Sequence, residues 1–350
     1  MYILTSYVFI QFNSSKIVMA MNKRILVTGR LPEVIMAELE KVFLVDANTE
    51  DKPYERQKLL HGIKDKDGLI SMITDNINEE VLDSASRLKM IAHFGVGYNN
   101  IDIKAATARG IPVSNTPGVL TDATAELAFA LILAIARRLV ECDRATRDGH
   151  FLYWAPMLFL GREVTGKTLG IIGLGEIGKA VARRAKGFKM RILYNNRSRI
   201  DASEEKELGA EYADLQKLLI ESDFISLHVP LTGETRHLIG KAEFSLMKPT
   251  AYLINTSRGP VVDEQALLGA LLNRTISGAG LDVYENEPAL TPGLTELSNV
   301  VLLPHIGSGT LETRIKMASM AAENLIAGLS NKVPPNLVNP EVLQNRRLTE

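Results

Sequence analysis

The stretch Leu169–Gly178, LGIIGLGEIG, constrains this chain more than any other. A short apolar run collapses into Gly173, Gly175 and Gly178 and then continues as KAVARRAKGF, which has helical spacing. A strand that feeds G-x-G-x-x-G into a helix clears side chains from between the backbone and a ligand, and it aims the helix's free N–H groups at an anion. The turn Gly173, Leu174, Gly175, Glu176, Ile177, Gly178 therefore reads as the cradle for a dinucleotide pyrophosphate.

Outside that turn, short β-rich runs alternate with helical segments, the pattern of parallel sheets built from βαβ units. A first set comprises Arg24–Thr28, Gly68–Met72, Met90–Ala92 and Pro112–Ser114, with helical patterns over Pro32–Lys41, Glu79–Ser84 and Ile103–Arg109. A second set comprises Thr168–Gly173, Arg191–Tyr194, Asp223–Val229, Ala251–Asn255, Gly280–Val283 and Val300–Leu303. Between them, the run from Ala123 to Gly149 predicts one helix of about seven turns that starts after the N-cap candidates Thr121 and Asp122. Its wide apolar face suits contact with another domain or with a second subunit. A second long helix, Leu311–Gly328, follows the last strand and returns to the first domain.

The expected fold class is α/β: two doubly wound parallel-sheet, Rossmann-like domains with a cleft between them, the ligand lying at the carboxyl ends of the strands. Residues 121–309 are expected to form the dinucleotide-binding domain. Residues 21–120 with 310–340 would form a discontinuous, flavodoxin-like substrate-binding domain. Residues 1–20 read as an extension from start-site choice or as a disordered tail.

Composition removes several function classes. The 40 basic and 41 acidic residues are well mixed, and a net charge of -1 offers no electrostatic footprint for nucleic acid or an anionic membrane, so a small-molecule partner is expected. No apolar run reaches the roughly 18 residues of a spanning helix. The leader MYILTSYVFIQF lacks the basic start and small-residue cleavage site of a secretory signal. Cys142 is the only cysteine, which leaves no disulfide framework and no cysteine metal site and fits a reducing, cytoplasmic setting. No metal is expected, and Cys142 reads as a packing residue of its helix.

Three segments near the ends of second-set strands supply an anchor, a carboxylate and an acid: NTSRG with Arg258, DVYENEP with Glu287 and LPHIGSGT with His305. An arginine offers a planar fork that matches a carboxylate or a polarised carbonyl. A histidine donates and recovers a proton near neutral pH, and a carboxylate beside it fixes its tautomer and stabilises the imidazolium. Reversible hydride transfer to a 2-keto acid requires this combination. Of the other histidines, His61, His150 and His237 read as solvated, while His93 and His228 stand at strand ends where they would line the cleft; none of the five is given a catalytic role.

With these motifs in order, the chain resembles the D-isomer-specific 2-hydroxyacid dehydrogenases, and within that family the glyoxylate/hydroxypyruvate reductases and the related 2-ketogluconate reductases. The resemblance runs from Arg24 to about Pro340 and rests on GIIGLGEIG, INTSRGPVVDE, GAGLDVYENEP and LPHIGSGT, with 29 positions from Arg258 to Glu287 and 18 from Glu287 to His305. It implies a catalytic set of Arg258, Glu287 and His305, with His305 as general acid in reduction, Glu287 as its partner, and Arg258 on the substrate's carboxylate and carbonyl oxygens. It further implies that the backbone N–H groups of Val96 and Gly97, in HFGVGYNNID, hold the substrate carboxylate. Asp282 would bind the nicotinamide carboxamide, and Pro230, Thr256 and Gly307 would line the cofactor. Loop geometry around Ser71–Thr74 and Trp154 would shape the substrate side-chain pocket. Trp154 and Pro156 resemble a segment that reaches a neighbouring subunit's active site, or else form an aromatic plug between domains. A homodimer is expected, held largely by the second domain through the Ala123–Gly149 helix.

One departure bears on the cofactor. An NAD-binding unit commonly carries Asp or Glu about 20 residues after the glycines, accepting from the ribose 2′-hydroxyl. Here the strand RILY ends in Asn195 and Asn196, followed by Arg197, Ser198 and Arg199. No carboxylate repels a 2′-phosphate, and two guanidinium groups are available to bind one, so NADP(H) is the expected cofactor, with NAD(H) as a second option. The expected function is NADPH-preferring reduction of glyoxylate, hydroxypyruvate or a sugar-derived acid such as 2-ketogluconate. A 3-phosphoglycerate dehydrogenase-like enzyme and a dinucleotide-sensing corepressor built on the same fold are the alternatives.

Overall fold

A computed structural model of the protein describes residues 22–344. The reading of residues 1–20 lies outside them. The described residues up to Val119 and from Thr310 onward form one compact unit, and Leu120–Gly309 forms another.

The first unit is built on a five-stranded parallel sheet in the order β2-β1-β3-β4-β5. Its strands are β1 (Arg24–Val27), β2 (Leu44–Ala47), β3 (Gly68–Ser71), β4 (Met90–His93) and β5 (Val113–Ser114). Central strands β3 and β4 are buried along their whole length, as a sheet covered by helices on both faces requires. Leu26, Leu69, Ile91 and Val113 carry that core together with Leu59, Val81 and Ala106 from the helices. The chain returns to this sheet through the helix Leu311–Leu329, which packs on β3 and β4. Gly68 and Gly328 permit the approach: a Cβ at Gly68 would lie 2.9 Å from Leu325, and one at Gly328 would lie 2.6 Å from Met90.

The second unit holds a seven-stranded parallel sheet, β12-β11-β10-β9-β6-β7-β8. Its strands are β6 (Thr168–Ile172), β7 (Arg191–Asn195), β8 (Ala210–Tyr212), β9 (Phe224–Leu227), β10 (Tyr252–Asn255), β11 (Gly278–Leu281) and β12 (Val300–Leu302). The strand order reverses between β6 and β9. That switch point leaves a crevice at the carboxyl ends of the strands, where open α/β sheets bind ligands.

The expected strands are present, and two more, β2 and β8, lie at sheet edges. Each pairs with a single neighbour and is half-exposed: AEY has no apolar run to announce it, and LVDA begins inside the run Val42–Val45, which follows directly on the preceding helix and reads as its continuation. The single helix expected over Ala123–Gly149 is two helices, Thr121–Ala136 and Leu139–Arg147. Arg138 turns the chain with φ 54°, in the left-handed region, and its guanidinium is then held by Glu141 at 2.6 and 2.8 Å. Thr121 and Asp122 do not cap the first helix: Leu120 is its N-cap without a side-chain bond, and Asp122 accepts from Arg184 at 3.2 Å instead. The apolar breadth of that helix is used inside its own unit, where Ala125, Ala128, Phe129, Leu131, Ile132 and Ile135 pack on β10, β11 and the helix Glu176–Gly187. Leu139–Arg147 buries no residue, so Cys142 is half-buried on an amphipathic helix rather than a core residue.

Candidate active site

The three glycines of the β6 turn have three separate reasons. Gly173 has φ 97°, and a Cβ there would stand 2.7 Å from the His228 backbone. Gly178 lets the helix Glu176–Gly187 close on β6, since its Cβ would lie 2.3 Å from Gly173 O. Gly175 faces open space and is the helix N-cap, so an anion can approach the backbone and the helix N-terminus directly. A second feature fits a dinucleotide at this end of the sheet: the Thr256 hydroxyl, just past β10, is buried without a hydrogen-bond partner. Of the remaining turn residues, Leu174 is buried while Glu176 is exposed and Ile177 half-buried. Pro230 is exposed beyond β9, its carbonyl accepting from Thr235 Oγ1 at 2.6 Å.

The loop after β7 is braced from two sides. Asn196 Oδ1 accepts from the Leu174 N–H at 2.6 Å, which ties this loop to the glycine turn, and Asn195 Nδ2 donates to Ala213 O at 2.9 Å. Arg197 and Ser198 are exposed. Arg199, expected to bind a 2′-phosphate, is engaged elsewhere: its Nε and Nη2 each donate to Glu205 at 2.7 Å, and Glu205 also accepts from Tyr194 Oη. The Arg199 guanidinium and the Tyr194 hydroxyl hold the Glu205 carboxyl down to about 2, so it stays charged and neutralises Arg199. Sequence spacing could not reveal this brace, because Tyr194 and Arg199 meet Glu205 only once the turn between them is closed.

Arg258, Glu287 and His305 come together after β10, β11 and β12. Asn255, the last residue of β10, shapes the first loop: its Oδ1 accepts from Ser257 N at 3.0 Å and Ser257 Oγ at 2.8 Å, and its Nδ2 donates to Arg258 O at 3.0 Å. Gly259 must lack a side chain, since a Cβ would fall 1.8 Å from the Tyr284 carbonyl. Arg258 Nη1 donates to Ser257 O at 2.7 Å. Burial pulls the Arg258 pKa down and the Glu287 charge partly offsets it, yet an arginine so placed keeps its charge at neutral pH.

Glu287 presents one oxygen to each side. Oε1 accepts from the Tyr284 N–H at 3.0 Å, and Oε2 lies 2.8 Å from His305 Nδ1. Burial alone would raise this carboxyl, but His305, the Tyr284 N–H and Arg258 outweigh it and hold it below the usual carboxylate range. His305 remains 27% exposed, with φ 55° in the left-handed region. Asp282 holds the loop in that conformation: Oδ1 accepts from Ile306 N and Oδ2 from Gly307 N, both at 2.7 Å. Burial raises the Asp282 carboxyl, against the pull of those two N–H groups and of His305. Asp282 and Gly307, expected to line the cofactor, therefore bond first to each other and set the position of His305. His228 stays outside this set, with Nε2 2.8 Å from Ser226 Oγ.

In the first unit, the turn after β4 has its carbonyls tied inward. Gly95 O accepts from Thr116 N at 2.9 Å and Val96 O from Asn115 Nδ2 at 2.8 Å. A trans peptide sets C=O and N–H in opposite directions, so the N–H groups of Val96 and Gly97 face away from those partners. Neither donates to a described residue. Ser71, expected to line the substrate pocket, is fully buried, its Oγ 3.1 Å from His93 Nδ1. His93 is likewise fully buried rather than lining a surface. Nearby, Met72, Ile73 and Thr74 do line a cavity of about 540 Å³, together with Arg30, Phe94 and Arg314. Trp154 is 79% exposed, in a run where Phe151, Leu152, Tyr153 and Met157 are exposed as well.

Fold and site together define a class, a dinucleotide-dependent α/β oxidoreductase. Residues 129–307 match the D-isomer specific 2-hydroxyacid dehydrogenase, NAD binding domain family. A curated glyoxylate reductase of Thermococcus litoralis is 53% identical over 92% of this chain and 98% of its own length. Among solved structures, a glyoxylate reductase of Paecilomyes thermophila is 35% identical with a TM-score of 0.81, covering 91% of this chain and 99% of that one. The NADPH-dependent glyoxylate/hydroxypyruvate reductase of Sinorhizobium meliloti, in complex with NADP and malonate, is 33% identical with a TM-score of 0.79, covering 92% and 98%. The chain belongs to the D-isomer-specific 2-hydroxyacid dehydrogenase family and is an NAD(P)-dependent oxidoreductase. No described helix is long and apolar enough to cross a membrane.

Proposed function

We propose that this enzyme reduces small 2-keto acids, glyoxylate and hydroxypyruvate foremost and 2-ketogluconate among the larger ones, to D-2-hydroxy acids, with NADPH as the preferred cofactor. The observation that carries the reading is the 2.8 Å contact of His305 Nδ1 with an ionised Glu287, beside the Arg258 guanidinium. A reduced nicotinamide dinucleotide, when bound with its pyrophosphate at the β6 turn, would supply the hydride that the carbonyl carbon accepts. Gly175 and the start of the helix Glu176–Gly187 would hold the pyrophosphate, and Thr256, Pro230 and the Asp282–Gly307 loop would line the rest. Arg258 polarises the carbonyl oxygen and pairs with the carboxylate, and the Val96 and Gly97 N–H groups are further donors to that carboxylate. With Nδ1 bonded to Glu287, Nε2 is the nitrogen left to His305 for giving a proton to the oxygen that becomes the hydroxyl.

Preference for NADPH follows from the absence of a carboxylate at Asn195 and Asn196 and from exposed Arg197 and Ser198, which can meet a 2′-phosphate. With Arg199 neutralised by Glu205, Arg197 is the main cationic determinant. We further propose a cytoplasmic homodimer in which the exposed apolar run Phe151–Leu160 covers a second copy, a role the expected helix face cannot play because its own unit buries it.

Steady-state assays of the purified enzyme with glyoxylate test the reading. Nicotinamide oxidation that is faster with NADPH than with NADH is expected. Cofactor binding without turnover would favour a sensor instead.

A further inference from the structure

The turn after β4 takes its shape from a buried imidazole that the chemistry above does not use. His93, the last residue of β4, has 0% of its surface exposed. Its Nε2 lies 3.1 Å from Gly97 O and its Nδ1 lies 3.1 Å from Ser71 Oγ, at the end of the neighbouring strand β3. A carbonyl oxygen only accepts, so Nε2 carries a proton; in the neutral ring, Nδ1 then accepts from the Ser71 hydroxyl. One side chain thus joins two adjacent strand ends to the far side of the turn. Gly95 leaves the space for it, since a Cβ there would stand 2.9 Å from Nε2.

The consequence falls on a peptide plane. With Gly97 O held by His93, the N–H of the same peptide, that of Tyr98, points the other way. Thr116, Asn115 and His93 together hold three consecutive carbonyls, of Gly95, Val96 and Gly97. The matching N–H groups, of Val96, Gly97 and Tyr98, donate to no described residue. Successive free N–H groups in such a turn form a concave anion site.

We propose that His93 is the positioning residue of the keto-acid carboxylate site: anchored on Ser71, it holds Gly97 O and thereby aims the Tyr98 N–H as a third donor beside those of Val96 and Gly97. This rests on the reading of the turn as the carboxylate site. Glyoxylate itself leaves no side chain to be recognised elsewhere, so affinity for it depends heavily on carboxylate donors and is sensitive to their aim.

Two variants test it. His93→Phe keeps an aromatic ring and removes the bonds to Ser71 Oγ and Gly97 O; Ser71→Ala removes only the hydroxyl on Nδ1. The measurements are KM and kcat for glyoxylate, the Kd of NADPH, and the Kd of oxalate for the NADPH complex. His93→Phe is expected to raise the glyoxylate KM and the oxalate Kd by roughly tenfold, with kcat changed far less and the NADPH Kd unchanged. Ser71→Ala is expected to move the same two quantities in the same direction by a few-fold. Wild-type oxalate affinity and KM in folded His93→Phe overturn the proposal, as does a parallel loss of NADPH affinity, which marks a general defect. Should His93→Phe not fold, Ser71→Ala decides on the same quantities. The underlying reading fails separately, and the proposal with it, if the wild-type NADPH complex neither binds oxalate nor reduces glyoxylate.

Discussion

Glu287 divides its two oxygens between the backbone and His305: Oε1 takes the Tyr284 N–H at 3.0 Å, and Oε2 meets His305 Nδ1 at 2.8 Å. The first bond fixes the carboxylate and the second fixes the ring. With Nδ1 held by an ionised carboxylate, the ring is fixed in orientation and Nε2 is left to face the substrate oxygen. Replacing Glu287 by Gln should therefore lower kcat/KM for glyoxylate at pH 7. A kcat/KM equal to that of the wild type in the folded variant would remove Glu287 from the proton-donating step.

The two arginines after β7 should separate cleanly. Arg197→Ala is expected to raise the KM for NADPH by roughly 10- to 100-fold while leaving that for NADH nearly unchanged, and the gap should narrow in high salt. Arg199→Ala opens the brace on Glu205 instead, so its effect should fall on both cofactors alike. Equal losses from Arg197→Ala with the two cofactors would show that the loop does not read a 2′-phosphate.

His228 links stability to pH. It keeps part of its surface in contact with solvent but lies deep among neighbouring atoms, and that burial pushes its pKa from 6.5 down to about 4. Between those values the unfolded chain takes up a proton that the folded chain refuses, so stability is full above about 6.5 and falls as pH drops toward 4. The loss is at most on the order of 3 kcal/mol. Urea unfolding midpoints measured across this window should fall less steeply in His228→Asn than in the wild type. Parallel curves would contradict the assignment.

How far these features can be read from sequence depends on whether they are local. Gly173 and Gly178 are legible because a positive φ and a contact with Gly173 O exclude every other residue. The central strands are legible because burial on both faces demands continuous apolar runs. The break at Arg138 is not, since no glycine or proline marks it and the apolar pattern runs on past it through Leu139 and Val140. Arg258, Glu287 and His305 can be named in advance, but not the bonds that hold them: the Asn255 and Asp282 side chains reach backbone groups of the two loops and Tyr284 uses its own N–H, and a backbone partner leaves no mark in a sequence. Arg199 shows the limit most plainly: its type and position suit a phosphate, and only the fold reveals that Glu205 holds it.

The exposed run Phe151–Leu160 bears on assembly. Leu152 and Trp154 are each 79% exposed, and patches of this kind on a folded chain mark a contact surface. Light scattering at micromolar concentration should report a dimer, and a Leu152→Glu, Trp154→Glu double variant should report a monomer. A monomeric wild type would refute the dimer.

The central claim is that His305 is the proton donor in keto-acid reduction, and its most direct test is steady-state turnover of His305→Ala with glyoxylate and NADPH. A fall in kcat of roughly 10²- to 10⁴-fold, with the Kd of NADPH nearly unchanged, is the expected result. Turnover close to that of the wild type in the folded variant would contradict the account.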